Sequence, residues 1–280
     1  MHHPLHLVPQ SELLAGGLTT LAVCLLIVAT QRWHGRLSLD GADGVQKAHT
    51  HPTPRVGGIG LAAGLPAAVY MAPAVVQEVL WPMLLAALPA FVFGLLEDLT
   101  KRISVRTRLL ATMASGVLAW YLTGVSLNHV DVWGLDTLLQ WLPLSVLFTA
   151  FAVGGVANSI NIIDGMNGLA SGVTMVALSS MGWIAFLAND VVMAKVCFVL
   201  FGVVAGFWLV NFPWGKIFLG DGGAYLLGFL LAWVAVLIPM RNASVSPWAT
   251  LLACGYPILE VAFTVWRRMK RKLHPGHPDR

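Results

Sequence analysis

In KIFLGDGGAYLLGF (residues 216–229) one carboxylate, Asp221, stands among glycines at the mouth of an apolar run long enough to enter a lipid bilayer. An ionisable group that close to hydrocarbon is costly, and such groups are usually retained for function. Two more acidic positions share this setting: Glu97-Asp98 in GLLEDLTKRISVRTRLL (residues 94–110) and Asp164 in NSINIIDGMNGLASG (residues 158–172). Carboxylates drawn into one small site repel unless a cation offsets them, and oxygen ligands without thiols favour a hard ion such as Mg²⁺. A magnesium site beside basic loops suits the binding of a diphosphate. Each position also has a plain structural reading. Glu97-Asp98, just ahead of Lys101-Arg102, can be a solvated loop, and Asp164 and Asp221 can be helix caps beside their glycines.

The elements that must position these groups are apolar helices. The chain is 57% hydrophobic and 11% charged, whereas soluble domains carry about 25% charged residues, which excludes an ordinary soluble fold. Nine stretches are long and apolar enough to cross a bilayer, roughly 12–31, 56–76, 79–96, 107–124, 137–157, 168–188, 191–210, 222–239 and 247–266. The expected fold is all-α, a polytopic integral membrane protein forming one domain over residues 1–280. The first stretch lacks the basic flank of a signal peptide and reads as a retained helix. With the N-terminus outside and the C-terminus cytoplasmic, the inner loops hold 15 of the 17 Lys and Arg residues, leaving Lys195 and Arg241 outside. The net charge of +4 is thus a topology signal, with no nucleic-acid partner implied. Cys24, Cys197 and Cys254 fall inside the apolar stretches and read as core residues.

On this topology Glu97, Asp98, Asp164 and Asp221 come to the inner face from separate spans, and only Glu260 lies within a span. Glu12, Glu78, Asp131, Asp136 and Asp190 fall in outer loops with no shared motif. Acids at span ends argue against an ion- or proton-coupled transporter, the alternative reading, which would place them near the bilayer midplane. A noncatalytic scaffold would have no reason to gather them.

Four stretches in this order resemble the polyprenyl-phosphate N-acetylhexosamine-1-phosphate transferases, the glycosyltransferase family 4 membrane enzymes that include phospho-N-acetylmuramoyl-pentapeptide translocase. KAHTHPTPRVGG (residues 47–58) is similar to the family's RKxHxxPTPxxGG, with Lys47 and His49 at the basic positions. GLLEDLTKRISVRTRLL is similar to GxxDDxxxLSxxxKL, with Glu97 in place of the first Asp, Asp98 at the second and Arg108 at the basic position. NSINIIDGMNGLASG follows NxxNxxDGxDGLA through Asn158, Asn161 and Asp164, with Asn167 replacing the second Asp. IFLGDGGA is similar to FMGDxGS, with Phe218 and Asp221 in register. The resemblance covers about residues 40–280.

The resemblance implies transfer of an N-acetylhexosamine 1-phosphate from a UDP-sugar to undecaprenyl (polyprenyl) phosphate. UMP is released, and the step initiates a cell-envelope polysaccharide at the bacterial inner membrane. It implies Asp98, Asp164, Asp221 and Glu97 as catalytic residues, and Lys47, His49, Arg108, Asn158, Asn167 and Phe218 as substrate-binding residues. It further implies Mg²⁺ held by Asp221 and Asn161. Such an enzyme needs a groove open to lipid, for which close packing at Gly202 and Gly206 is suited. The family continues past the position of Arg280 into a histidine-rich loop, so the chain is expected to be truncated at its C-terminus. His274 and His277 read as tail residues. The sugar and the oligomeric state stay open, a homodimer being one arrangement.

Overall fold

The computed structural model describes residues 10–40 and 53–270. Eleven helices and one short strand pair make up the ordered elements among them. The helices are α1 Gln10–Ser38, α2 Gly58–Met71, α3 Ala74–Thr100, α4 Val105–Thr123, α5 Leu135–Leu139 and α6 Leu142–Ile163, followed by α7 Leu169–Leu187, α8 Val191–Asn211, α9 Gly220–Arg241, α10 Pro247–Ala253 and α11 Gly255–Lys270. Strand β1 (Leu39–Asp40) pairs antiparallel with β2 (Thr53–Pro54), Leu39 opposite Pro54.

Six helices are long and apolar enough to cross a membrane, α1, α3, α6, α7, α8 and α9, and α10 with α11 makes a seventh if the bent pair counts as one span. The expectation of nine differs here for physical reasons. Helix α2 has only 14 residues, about 21 Å of rise against a hydrocarbon core of about 30 Å. Helix α4 is 19 residues long but carries Arg106 and Arg108 in its first turns, so it is less apolar than its length suggests. The last expected span breaks by 73° between Ala253 and Gly255.

Local chemistry sets several boundaries. The Ser104 hydroxyl accepts from the Thr107 N–H at the start of α4, and Asp190 accepts from Met193 N–H at the start of α8. Gly124 ends α4 in the left-handed conformation.

Helix α9 is the hub. It is buried on nearly every side from Gly220 to Pro239, and it packs against α3, α6 and α7 and, more lightly, α2, α4, α8 and α10. A helix apolar all round belongs in such a place. Its Phe229 and Trp233 rings stack at 6.5 Å inside the core. Outer helices instead expose apolar side chains such as Leu18, Leu85 and Val176, as a lipid-facing surface requires. Gly202 and Gly206 serve the contact of α8 with α1, since a Cβ on Gly202 would lie 2.8 Å from the Leu13 carbonyl oxygen. They let these two helices pack closely. Helices α3 and α6 both run toward the end of the bundle where α9 begins, so their C-termini meet its N-terminus.

Candidate active site

Helix α9 begins without a cap of its own: Leu219 is the N-cap residue and makes no side-chain cap hydrogen bond. The first-turn N–H groups of a helix need acceptors when buried. They find one on α3. Asp98, buried at the last turn of that helix, accepts from Asp221 N–H at 2.9 Å through Oδ1 and from Gly222 N–H at 2.8 Å through Oδ2. A carboxylate from one helix thus caps another, and the positive end of the α9 dipole stabilises its charge. The close approach depends on glycine. A Cβ on Gly94 would lie 2.7 Å from the Asp221 backbone, and one on Gly220, which has φ of +73°, would lie 2.6 Å from the Asp98 carboxylate.

The segment leading into α2 completes the lip of the site. Phe218 N–H donates to Pro54 O (2.8 Å), while Gly57 N–H donates to Phe218 O and Gly58 N–H to Leu219 O. These bonds lay residues 54–58 along the α9 entry and bring Arg55 over it. Arg55 Nε lies 3.3 Å from Asp98 Oδ1, and its Nη2 donates to Asp221 Oδ1 at 2.6 Å. Asp221 is buried, and its Oδ2 pairs with Arg108 Nη1 from α4. The Arg108 guanidinium also lies over the Tyr225 ring, 5.9 Å from its centre. Asn161 of α6 donates from Nδ2 to Asp221 Oδ1 at 3.2 Å and accepts at Oδ1 from the Tyr225 hydroxyl at 3.3 Å. Five elements therefore converge on two carboxylates and two guanidiniums. Paired in this way, buried charges are tolerated that would each be prohibitive alone. Arg108 Nε remains buried with no hydrogen-bond partner among the described residues.

Asp164 ends α6 as its C-cap residue and stands beside this network. Burial pushes its carboxyl up to about 7; Arg55 pulls against that rise, and the Asp98 charge adds to it. It caps no helix N-terminus, because α7 starts from Gly168, whose N–H donates to Asn211 Oδ1. Glu97 faces another way: its Oε2 accepts from Ile103 N–H at 2.6 Å and closes the turn between α3 and α4. Asn158, one turn before Asn161, donates to Gly154 O and to Thr112 Oγ1 of α4. Asn167 donates to Pro213 O and so braces the loop between α8 and α9. Phe218 is held by its backbone in the strand-like pairing with Pro54 and Gly57. Lys47 and His49 lie outside the described residues.

The structure thus gathers Asp98, Asp221, Asn161 and Arg108, sets Asp164 beside them, and places Glu97, Asn158, Asn167 and Phe218 in supporting positions around them. Sequence reasoning passed over Arg55 and Tyr225. Arg55 sits inside the quoted PTPRVGG stretch, and Tyr225 lies one helical turn after Asp221, where i and i+4 share a face. Among the described residues no group of three or more Asp, Glu, His or Cys side chains is arranged to hold a metal ion. The donors that are present, the Asp221 carboxylate and the Asn161 amide, are nonetheless hard oxygens. They are of the kind Mg²⁺ takes, one or two carboxylates with phosphate oxygens and water, but here Asp221 is paired with Arg55 and Arg108, and Asn161 Oδ1 accepts from the Tyr225 hydroxyl.

These acids and their partners fall within a sequence that matches the family model described as Glycosyl transferase family 4 over residues 80–239. The chain belongs to glycosyl transferase family 4. Among family members it is 27% identical over 240 residues to a probable undecaprenyl-phosphate N-acetylglucosaminyl 1-phosphate transferase of Bacillus subtilis, covering 84% of this chain and 65% of that one. It is 28% identical over 244 residues to the undecaprenyl-phosphate alpha-N-acetylglucosaminyl 1-phosphate transferase of Yersinia pestis, with the same coverage. It is 27% identical over 308 residues to a decaprenyl-phosphate N-acetylglucosaminephosphotransferase of Mycobacterium tuberculosis, covering 98% of this chain and 75% of that one. The chain therefore spans about 65% of the length of the first two relatives.

Proposed function

We propose that this chain transfers an N-acetylhexosamine 1-phosphate from a UDP-sugar to a polyprenyl phosphate such as undecaprenyl phosphate and releases UMP. It would do so at the cytoplasmic face of a bacterial plasma membrane, as the first step of a cell-envelope polysaccharide. The observation that carries this reading is the Asp98, Arg55, Asp221 and Arg108 network at one end of an apolar bundle, in a chain whose relatives are sugar-phosphate transferases of that type. In the reaction an oxygen of the lipid phosphate attacks the β-phosphorus of the UDP-sugar. A new phosphoanhydride bond forms, the bond between the α- and β-phosphates breaks, and its electron pair leaves with UMP.

Phosphoryl transfer of this kind asks for alignment and charge neutralisation more than for covalent help. Mg²⁺ held by Asp221 and Asn161 would supply neutralisation at the diphosphate. The chain's own residues would do the rest. Arg108, paired with Asp221 and lying over the Tyr225 ring, would offset phosphate charge. Asp98 fixes the α9 N-terminus and with it the position of Asp221, so its part is to orient the reacting phosphates. Asp164, whose carboxyl burial pushes up to about 7, would hold a proton arriving with the lipid phosphate. The acceptor's hydrocarbon would enter the apolar part of the bundle. An apolar cavity of about 210 Å³ is lined by Phe148 and Val156 of α6, Ala232 and Val236 of α9, and Trp248 and Leu251 of α10. It lies farther along the two helices that carry Asn161 and Asp221.

The test uses the purified full chain in nanodiscs with polyprenyl phosphate, Mg²⁺ and each UDP-N-acetylhexosamine in turn. UMP should form only when the lipid is present. Absence of lipid-dependent UMP with every sugar offered would reject the reading.

A further inference from the structure

The two guanidiniums of the site differ in a way that gives them different work. Arg108 has a side chain 14% exposed, fixed over Tyr225 and directed at Asp221 from the α4 side. The Arg55 side chain is 30% exposed, while the carboxylates it bridges, on Asp98 and Asp221, are exposed by 1% and 4%. Arg55 therefore forms the lip of the site, with the acids beneath it. Its backbone is tied down on both sides by the hydrogen bonds of Pro54, Gly57 and Gly58 to Phe218 and Leu219. A planar guanidinium offers five N–H donors in a fork matched to carboxylate and phosphate oxygens alike. Of the two guanidiniums paired with Asp221, that of Arg55 is the more exposed.

We propose that Arg55 is a phosphate-binding residue, which holds Asp98 and Asp221 while the site is free of substrate and turns its guanidinium edge onto a phosphate oxygen when substrate arrives. The proposal rests on the transferase reading and adds to it a contact from a residue 166 positions away from Asp221 along the chain. The phosphate oxygens could belong to the nucleotide diphosphate or to the lipid phosphate, and kinetics separates the two. A rise in KM confined to the UDP-sugar assigns Arg55 to the donor; a rise confined to polyprenyl phosphate assigns it to the acceptor.

The experiment compares wild type, Arg55→Gln and Arg55→Lys as full chains in nanodiscs. It measures equilibrium binding of UDP and of uridine, and the KM of each substrate. With Arg55→Gln, either UDP affinity or the lipid KM should worsen by about 10- to 100-fold, the scale of one lost charge-assisted hydrogen bond. Uridine, which has no phosphate, should bind as to wild type. Arg55→Lys should recover part of the loss, because it keeps the charge and loses the fork. A residue that merely braced the two acids would weaken uridine and UDP by the same factor; either that pattern or wild-type behaviour of Arg55→Gln overturns the inference. Should Arg55→Gln not survive purification, Arg55→Lys carries the test: a loss selective for phosphate-bearing ligands supports the proposal, and an equal loss for uridine overturns it. A wild-type chain that binds no UDP and makes no lipid product sinks the transferase reading itself, which is a distinct result.

Discussion

Replacing Asp98 tests the trans-helix cap more sharply than any other change. Its two oxygens receive the N–H groups of Asp221 and Gly222 at 2.9 and 2.8 Å inside the protein. Hydrogen bonds to a charged partner contribute about 1.5–3 kcal/mol each, so Asp98→Ala should cost about 3–6 kcal/mol and leave two buried donors unsatisfied. The Arg55 contact adds little to that sum, because Arg55 is partly solvated and keeps Asp221 as a partner. Asp98→Asn retains one acceptor oxygen, a competent cap, and should lose about half as much. Two measurements on protein in nanodiscs check this: the apparent midpoint of thermal unfolding, and hydrogen exchange at the Asp221 and Gly222 amides. The order expected is wild type, then Asn, then Ala, with both amides exchanging fast only in Asp98→Ala. If Asp98→Ala unfolds with wild type and those amides stay protected, the cap is not what anchors α9.

Other expectations follow from the same geometry. Gly94→Ala drives a methyl to within 2.7 Å of the Asp221 backbone and should cost about 1–3 kcal/mol together with transferase turnover. Gly155→Ala, on a helix and with nothing within 4 Å of the added carbon, should be neutral or stabilising by about 0.5–1 kcal/mol in the same unfolding assay. For Asp164 the native pKa is raised, so the folded protein binds the proton more tightly than the unfolded chain. Stability from this group is then greatest at acid pH and falls as pH rises from the ordinary carboxylate range to about 7. Asp164→Asn should flatten that part of the unfolding-versus-pH curve. At the opposite end of the bundle burial alone would raise the Asp190 carboxyl, but hydrogen bonds from Arg241, Met193 N–H and Asn242 hold it below its usual range. Arg241 is more than one-third exposed, so Arg241→Ala should cost under about 1 kcal/mol and leave UMP release unchanged.

Much of this was legible in the chain itself, because hydrocarbon imposes strong rules. The apolar runs placed the long helices, and acids at their ends marked Asp98, Asp164 and Asp221 as belonging to one end of the bundle. What spacing along the chain does not contain is which helix caps which. Asp98 and Gly222 are 124 positions apart, and nothing local to either reveals the bond between them. Arg55 escaped notice for a related reason: beside Lys47 and His49 it reads as one more basic loop residue, and its role appears only once residues 54–58 lie along the α9 entry. The span count differs where apolar composition and helix length part. Helix α2 is apolar but short, α4 is long but begins with two arginines, and the last run bends at Cys254, where a window of hydropathy sees no break.

In the proposed transfer the donor breaks between its α- and β-phosphates. UDP-N-acetylhexosamine carrying radiophosphorus at the β-position, incubated with the full chain, polyprenyl phosphate and Mg²⁺, should deliver its label to the organic phase with the sugar, while label at the α-position stays in water as UMP. Label from the β-position left in water as UDP, or absent from the lipid with every donor sugar tried, would contradict it.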